Sequence, residues 1–560
     1  MSAPPRLLRS AGVVSAAVAL SRVTGLVREM VMARLFGAGE VYDAFLLAFR
    51  IPNLTRDLFA EGALSSAFVP IFTQYLAGKG RRAAAELSNL TASTLLAITG
   101  AICILGMIFS PQLVRLLAPG FEHVPGKFEL AVHLTRIMFP FLALVALAAQ
   151  AMGVLNACDR YGVPALSSVM FNIASVAIGL LLGFTIGRGL HQGAIVCMAY
   201  GIVAGGLVQL LWQAPSLWRA GFAYRPQWNP RHPGVRSIFG LMLPAFIGNA
   251  AVQINVMVNT NLASSLTDSA GHVVNGPVSW LGYAFRFLQL PLGLFGVAIA
   301  AATLPEISRS AARGNMEEFS RTLGRSLAMT LFLAIPSSVG LAILGESMIG
   351  AVYQWGRFQS YDTHQTASAL ACYSVGLAGY SAIKLLAPAF YALQDARTPM
   401  LVSVASIAIN LGAAMFFVRQ AGLGHAGLAL ATSSVALAGA VSLLAILSAR
   451  LNRARAAIDL RYLGASALRI SASAALMAAA CAGASRLVHA VAAGKAAQFA
   501  DVAISIPLGA AVFCGTAHWF GCEQVKEIWH ACYTARRNAS RPEVGDPPPG
   551  HRSSFGGSGT

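Results

Sequence analysis

Charged residues are scarce in this sequence, and acidic residues are the scarcer of the two signs. Only 11% of the 560 residues are charged, whereas a soluble domain usually carries about 25%. Three long runs, 92–110, 161–186 and 326–344, contain no charge at all. Each has about the 20 residues that a helix needs to cross a bilayer. With 56% hydrophobic residues, the composition excludes a soluble globular protein and predicts an all-α polytopic membrane protein.

Motifs for nucleotide or metal chemistry are also missing. The chain has no G-x-x-x-x-G-K-[ST] loop and no H-E-x-x-H, so ATP hydrolysis is not expected. The eight cysteines are scattered without a C-x-x-C pair, which is typical of reduced hydrophobic side chains. We therefore expect a transporter rather than an enzyme, with no metal and no cofactor. Transport is then driven by the membrane potential or by an ion gradient, and the sequence does not identify the coupling ion.

The net charge of +18 comes from basic residues that are distributed between the two sides of a membrane and do not form a nucleic-acid-binding run. By the hydropathy rule the chain holds about fourteen spans. Their predicted centres are Ala19, Leu58, Ala101, Leu144, Ala174, Ala204, Asn249, Leu292, Leu331, Gly376, Ile407, Ala436, Ala475 and Leu508. With a cytoplasmic N-terminus, about three times as many Lys and Arg residues lie on the cytoplasmic side as on the other. The positive-inside rule then predicts that both termini are cytoplasmic.

Short motifs recur at one spacing, which predicts an internal duplication. Matching residues lie 235 or 236 positions apart: Ala-Phe-Arg at 48–50 and 284–286, Leu-Phe at 58–59 and 294–295, Asp159 and Asp395, Pro164 and Pro399. Duplicated transporters bind their substrate between the two halves. We predict two pseudo-symmetric six-helix lobes, residues 7–218 and 235–450, around a central cavity. Two added helices (462–522) and a disordered cytoplasmic tail (523–560) follow.

Eight basic residues fall at membrane depth, where an arginine facing lipid costs about 2.5–3.5 kcal/mol. They are Arg22, Arg28, Arg50, Arg56, Arg136, Arg286, Lys384 and Arg469. Gly25 and Pro52 lie between the paired arginines of the first two spans, so bends or breaks are expected there. Guanidinium groups gathered in one cavity favour a phosphate-bearing ligand.

Acidic residues are interleaved with these arginines and allow a second interpretation. They are Glu29, Asp43, Asp57 and Glu61. The pairs Arg22–Glu29 and Asp43–Arg50 are seven residues apart, so each shares a helix face and can pair within its own helix. Arg286 has no acid within seventeen residues, and we expect it to add uncompensated positive charge.

Several stretches resemble the MurJ/MviN family of flippases. They are SRVTGLVRE (21–29), FGAG (36–39), DAF (43–45), PNL (52–54), FAEGALSSAFVP (59–70), APGF (118–121), PLG (291–293), YSVGL (373–377) and QDARTP (394–399). The resemblance covers about residues 8–450. It implies a fourteen-helix member of the multidrug/oligosaccharidyl-lipid/polysaccharide exporter superfamily in the bacterial inner membrane. It further implies transfer of lipid II to the periplasmic leaflet by alternating access, for cell wall synthesis.

The resemblance also implies roles for particular residues. The diphosphate cavity is implied at Arg22, Arg28, Arg56 and Arg286, and gate acids at Glu29 and Asp43. From charge at membrane depth alone, Glu61 is a further ion-pair candidate, and Arg50 and Lys384 are further cavity candidates. The last two helices are implied to form a groove for the polyprenyl tail. Two positions depart from relatives, because Phe285 and Gln289 stand where acids are found, and no sodium site can be mapped. The implied partners are lipid II, membrane lipids and proteins of cell wall synthesis and division.

Three alternatives stay open at this point. The first is an exporter of drugs or polysaccharide-linked lipids from the same superfamily. The second is a membrane enzyme that acts on polyprenyl phosphates, although no paired-acid or histidine-centred motif favours it. The third is a scaffold for division proteins.

Overall fold

The computed structural model describes residues 5–58, 64–186 and 193–527. In these ranges the chain is helical apart from turns and one isolated β-bridge between Thr267 and Val273. The first nine helices are α1 (Pro5–Phe36), α2 (Glu40–Leu58), α3 (Ser65–Gly78), α4 (Gly80–Ile108), α5 (Ser110–Leu117), α6 (Lys127–Met138), α7 (Pro140–Ala157), α8 (Gly162–Thr185) and α9 (Gly193–Arg219). The other ten are α10 (Pro233–Ser264), α11 (Pro277–Pro291), α12 (Val297–Ala312), α13 (Met316–Tyr353), α14 (Ser360–Ser374), α15 (Leu377–Ala392), α16 (Arg397–Met415), α17 (Gly424–Arg453), α18 (Leu460–Val491) and α19 (Gly494–Trp519).

The helices have the lengths and composition of a polytopic membrane protein, which confirms the predicted fold class. Among the described residues, ten helical stretches are long and apolar enough to span a bilayer, and the bent pair α14–α15 is an eleventh. Backbone polar groups have no partner in lipid, so such spans must be helical. The other three predicted spans fall on α1, α2–α3 and α10, and charges interrupt the first two. The count of fourteen stays a prediction.

Breaks in the helices occur at neither of the two places expected in the first spans, Gly25 and Pro52. No break occurs at Gly25, because α1 runs unbroken from Pro5 to Phe36. No break occurs at Pro52 either, because α2 runs unbroken from Glu40 to Leu58 with Pro52 inside it. In the second half, a π-helical stretch, Leu292–Gly296, follows Pro291 and separates α11 from α12. Proline removes a helix hydrogen bond, and π-helical turns of this kind often mark functional sites.

Two turns repeat between the halves and correct one of the predicted matches. Asp159 and Gln394 both have a left-handed backbone, with φ of 57° and 59°. The next residue in each turn donates its N–H back to a helix carbonyl at 2.9 Å: Arg160 to Leu155 and Asp395 to Phe390. Asp395 therefore occupies the position of Arg160, and the match of Asp159 with Asp395 is wrong by one residue. The division into lobes itself stays a prediction.

The two last helices pack on α13. Phe332 and Leu344 of α13 share a buried apolar cluster with Ile470 and Met477 of α18 and Phe513 of α19. Asp501 of α19 is fully buried and accepts hydrogen bonds from serine hydroxyls of all three helices, namely Ser347, Ser485 and Ser505. This polar contact fixes how α18 and α19 sit against the rest of the molecule.

Candidate functional site

Glu29 lies at the centre of the charged residues that the sequence singles out. One of its carboxylate oxygens accepts a hydrogen bond from Arg286 Nε at 2.6 Å and lies 3.9 Å from Arg28 Nη2. The other accepts from the Tyr353 hydroxyl at 3.1 Å. The Glu29 side chain is 10% exposed and that of Arg286 48%. One carboxylate therefore joins α1, α11 and α13.

Arg28, Glu29 and Arg286 line a small cavity of about 40 Å³. Its other walls are mostly apolar and come from α1, α2, α8 and α9. The Arg28 guanidinium lies 5.5 Å from the ring centre of Phe171 and 5.9 Å from that of Phe49, distances at which a cation is attracted to an aromatic face. Among the described residues, the lining of this cavity contains two arginines and one acid, a composition that suits an anion. Among the described residues, no three His, Cys, Asp or Glu side chains are placed to hold a metal ion.

Arg22 lies on the same helix, about 9 Å from Arg28 along the axis. Its side chain is exposed, and its guanidinium lies directly against Gly293 in the π-helical stretch. A Cβ atom at Gly293 would overlap that guanidinium. Arg22 makes no ion pair with any acid that the structure describes, so the expected pair with Glu29 is wrong.

The remaining basic candidates take different positions. Arg50 is half-buried and donates a short hydrogen bond to the Thr260 hydroxyl of α10, so its expected pair with Asp43 is also wrong. Lys384 is exposed on α15 and has no hydrogen bond or ion pair within the described parts of the chain. Arg56 lies on α2, but its side chain is outside the described residues. Glu61 lies outside the described residues altogether.

Asp43 is buried at the start of α2 and binds the second half of the molecule. Its two oxygens accept from the backbone N–H groups of Gly276 and Ser279 and from the Ser279 hydroxyl, at 2.6–2.9 Å. The Lys127 ammonium completes the set at 2.9 Å, and both side chains are 1% exposed. Asp43 therefore caps the N-terminus of α11, where a negative charge is favoured.

Beside this cap, four buried aromatic side chains pack together: Tyr42 of α2, Tyr283 of α11, Tyr353 of α13 and Phe358 of the following turn. We call this group the aromatic seal. Tyr42 stacks on Tyr283 with ring centres 5.1 Å apart, and Tyr283 lies 4.7 Å from Tyr353. All four side chains are 3% exposed or less. The seal borders the cavity through Tyr42, which is also one of the lining residues.

The structure adds partners that sequence reasoning did not identify. Arg286 was expected to lack an acid, yet Glu29 reaches it from a helix that is 257 residues away in sequence. Tyr353, Lys127 and Thr260 were not candidates either. Lys127 was not among the basic residues placed at membrane depth, and hydroxyl groups of Tyr and Thr carry no distinguishing spacing. Only the tertiary structure brings these groups to the acids and arginines.

The arrangement of helices defines the class of protein first. A solved structure described as an inward-facing conformation of a multidrug resistance MATE family transporter of the MOP superfamily is similar, with a TM-score of 0.65. It covers 77% of this chain and 95% of its own, at 16% identity. At that identity the similarity shows the fold of a polytopic membrane protein and no more.

The particular family follows from closer relatives. A family model described as lipid II flippase MurJ matches residues 32–497. The probable lipid II flippase MurJ of Vibrio cholerae is 37% identical over 76% of this chain and 80% of its own length, and that of Bdellovibrio bacteriovorus 34% identical over 93% and 96%. A solved structure of lipid II flippase MurJ in an inward closed conformation has a TM-score of 0.73 at 26% identity, covering 90% of this chain and 98% of its own. The chain belongs to the MurJ family of lipid II flippases.

Proposed function

We propose that this protein carries lipid II from the cytoplasmic to the periplasmic leaflet of the inner membrane by alternating access. The observation that carries the proposal is the meeting of Arg28 and Arg286 in one cavity, from helices of opposite halves of the chain. Family membership supports lipid II as the substrate. The diphosphate of that lipid is the group that two guanidinium forks bind best.

In this proposal Glu29 holds the place of the diphosphate while the cavity is empty. Arg28 and Arg286 both approach its carboxylate, so a diphosphate that enters competes for the same donors. Each charge-assisted hydrogen bond contributes about 1.5–3 kcal/mol. A diphosphate offers more oxygens than one carboxylate and therefore replaces it. Arg22, next along α1, and Arg56 are proposed as further contacts to the head group.

The proposed orientation places both termini in the cytoplasm, so that the aromatic seal faces the periplasm. Lipid II then enters from the cytoplasmic side, with its polyprenyl tail in a groove formed by α18 and α19. Opening of the seal releases the head group outward. The membrane potential is proposed to return the empty, positively charged protein, without ATP hydrolysis.

A depletion experiment tests the proposal. In a strain that lacks its own flippase, the wild-type chain should restore growth and prevent the accumulation of lipid II. Arg28→Ala and Arg286→Ala should fail to do so while the protein stays in the membrane. Arg469→Ala is the matched control, since this exposed arginine of α18 donates, among the described residues, to the Gly521 carbonyl at 3.3 Å and to no acid. Full complementation by Arg286→Ala would refute a cavity shared by the two halves.

A ligand-binding experiment on the purified protein separates this function from that of a drug or polysaccharide-lipid exporter. Lipid II should raise the melting temperature of the purified protein, and Arg286→Ala should remove that effect. A rise produced by cationic drugs but not by lipid II would favour the exporter. Because the cavity contains two arginines, we expect the opposite preference.

A further inference from the structure

The aromatic seal is closed on its outer side by direct contact of two backbone turns. The Arg357 N–H, after α13, donates to the Arg34 carbonyl of α1 at 3.0 Å. Gly37 and Gly356 flank this bond with left-handed φ values of 68° and 64°. A Cβ atom at Gly37 would lie 2.7 Å from the Arg357 carbonyl oxygen, and one at Gly356 would overlap the Arg34 backbone. Only glycine allows this approach at both positions.

On its inner side the seal meets the cavity: Tyr42 is one of the lining residues, and Tyr353 contacts the lining residue Glu29. Its ring packs on Tyr283 and lies 6.0 Å from Phe358. Its hydroxyl donates a hydrogen bond to Glu29, outside the aromatic seal, at 3.1 Å. A second seal hydroxyl, that of Tyr283, donates instead to the Gly37 carbonyl at 3.3 Å. Tyr353 is therefore the seal residue whose polar group depends on the carboxylate of the cavity.

We propose that Tyr353 is a positioning residue that couples occupation of the cavity to opening of the aromatic seal. While Glu29 lies between the arginines, it accepts the Tyr353 hydroxyl and holds the end of α13 in the closed position. When an anionic head group displaces Glu29, the hydroxyl loses its buried acceptor, and the closed position loses one of its bonds. The inference rests on the proposed function for the identity of that anion, lipid II. The link between Glu29 and the seal is independent of it.

Hydrogen exchange of the full-length protein tests the coupling. The segments to follow are 34–43 and 353–362, which contain the amide of Arg357. In the wild type both should be protected when no lipid II is present and should exchange faster when it is added. Tyr353→Phe keeps the ring and removes only the donor. Without lipid II it should raise exchange of both segments roughly tenfold, the change expected for one hydrogen bond to a charged group. Adding lipid II to Tyr353→Phe should then increase the exchange of these segments little further, although this variant should bind lipid II with an affinity within about threefold of wild type.

A matched variant and a double mutant separate coupling from simple loosening. Tyr283→Phe also removes one hydroxyl from the seal, but its partner is a carbonyl; this variant should exchange faster and still respond to lipid II. Glu29→Ala should raise exchange without lipid II, and adding Tyr353→Phe to it should change nothing more, because the acceptor is already gone. Should Tyr353→Phe not accumulate, the Glu29→Ala result alone decides.

Two outcomes would overturn the inference. One is unchanged exchange at the seal in Tyr353→Phe or, where that variant does not accumulate, in Glu29→Ala. The other is full additivity of Glu29→Ala and Tyr353→Phe, which a purely structural tyrosine would show. If lipid II fails to bind the wild type, the proposed function fails, while the exchange of the unliganded variants still tests the role of Tyr353.

Discussion

Two carboxylates of the first half, Glu29 and Asp43, both bind groups of the second half, and they do so in different ways. The partners of Asp43 include two backbone N–H groups at the start of α11 and a buried lysine. The partners of Glu29 are side chains alone: Arg28, Arg286 and Tyr353. The basic partners differ in exposure: the Lys127 side chain beside Asp43 is 1% exposed, whereas the Arg286 side chain beside Glu29 is 48% exposed.

The difference suggests separate tasks for the two acids. Backbone donors of a helix N-terminus cannot turn away without moving the helix, so Asp43 fixes α2 to α11. Long arginine side chains that face a cavity can exchange one anion for another at small cost. We infer that Asp43 holds the closed end together, while Glu29 is the acid that a substrate can displace.

The largest effect should follow from Asp43→Ala, which removes the cap and leaves the Lys127 ammonium buried without its counter-charge. Breaking a buried pair in this way costs about 3–5 kcal/mol. We expect the variant to be nearly absent from the membrane, as measured by immunoblot. Asp268→Ala, in an exposed turn, is the control and should accumulate normally. Normal abundance of Asp43→Ala would show that the cap does not secure the fold.

Glu29→Ala should have a smaller effect on stability and a complete effect on transport. Arg286 remains hydrated because its side chain is nearly half exposed, so the loss should be about 1 kcal/mol. We expect near-normal abundance with no complementation in the depletion strain. Glu317→Ala breaks an exposed pair with Arg321 and should leave both unchanged. If Glu29→Ala disappears from the membrane as Asp43→Ala does, the two acids share one structural task.

The sequence predicted much of this fold, and its failures have a common cause. Long uncharged runs identified the spans, because lipid requires a continuous apolar helix. The arginines and acids of the site were found since charge at membrane depth is rare. Partners were predicted wrongly: Arg22–Glu29 and Asp43–Arg50 were matched by helix periodicity, yet Glu29 and Asp43 bind residues on other helices. Periodicity describes one helix, whereas these pairs depend on how α1, α2 and α11 pack.

Arg50 also joins two helices, α2 and α10, but its partner is the neutral hydroxyl of Thr260 rather than a carboxylate. Thr260→Val keeps the shape and removes the acceptor, so a hydrogen bond worth about 1.5 kcal/mol is lost. We expect a modest decrease in melting temperature in detergent and retained complementation. Thr73→Val is the control, since that hydroxyl is exposed and donates only within its own helix at 2.8 Å. Loss of transport without loss of stability would show that Arg50 contributes to the substrate cavity rather than to helix packing.

The smallest effect concerns a third carboxylate, Asp395, which lies in the turn between α15 and α16 and pairs with Arg450 of α17 at 2.9 Å. The Thr398 hydroxyl at 2.7 Å, then the N–H groups of Thr398 and Arg397 and the Arg450 guanidinium, lower the pKa of Asp395 below its ordinary 3.8. A lowered pKa stabilises the fold above the ordinary value, and the gain is lost as pH falls through the lowered one. The difference in melting temperature between wild type and Asp395→Asn should therefore be constant from pH 7 to about pH 5 and shrink below 3.8. Thr398→Val should reduce this pH dependence more than Arg450→Gln, since the arginine is half exposed and screened by salt; the reverse order would show that the ion pair, not the hydroxyl, holds the turn.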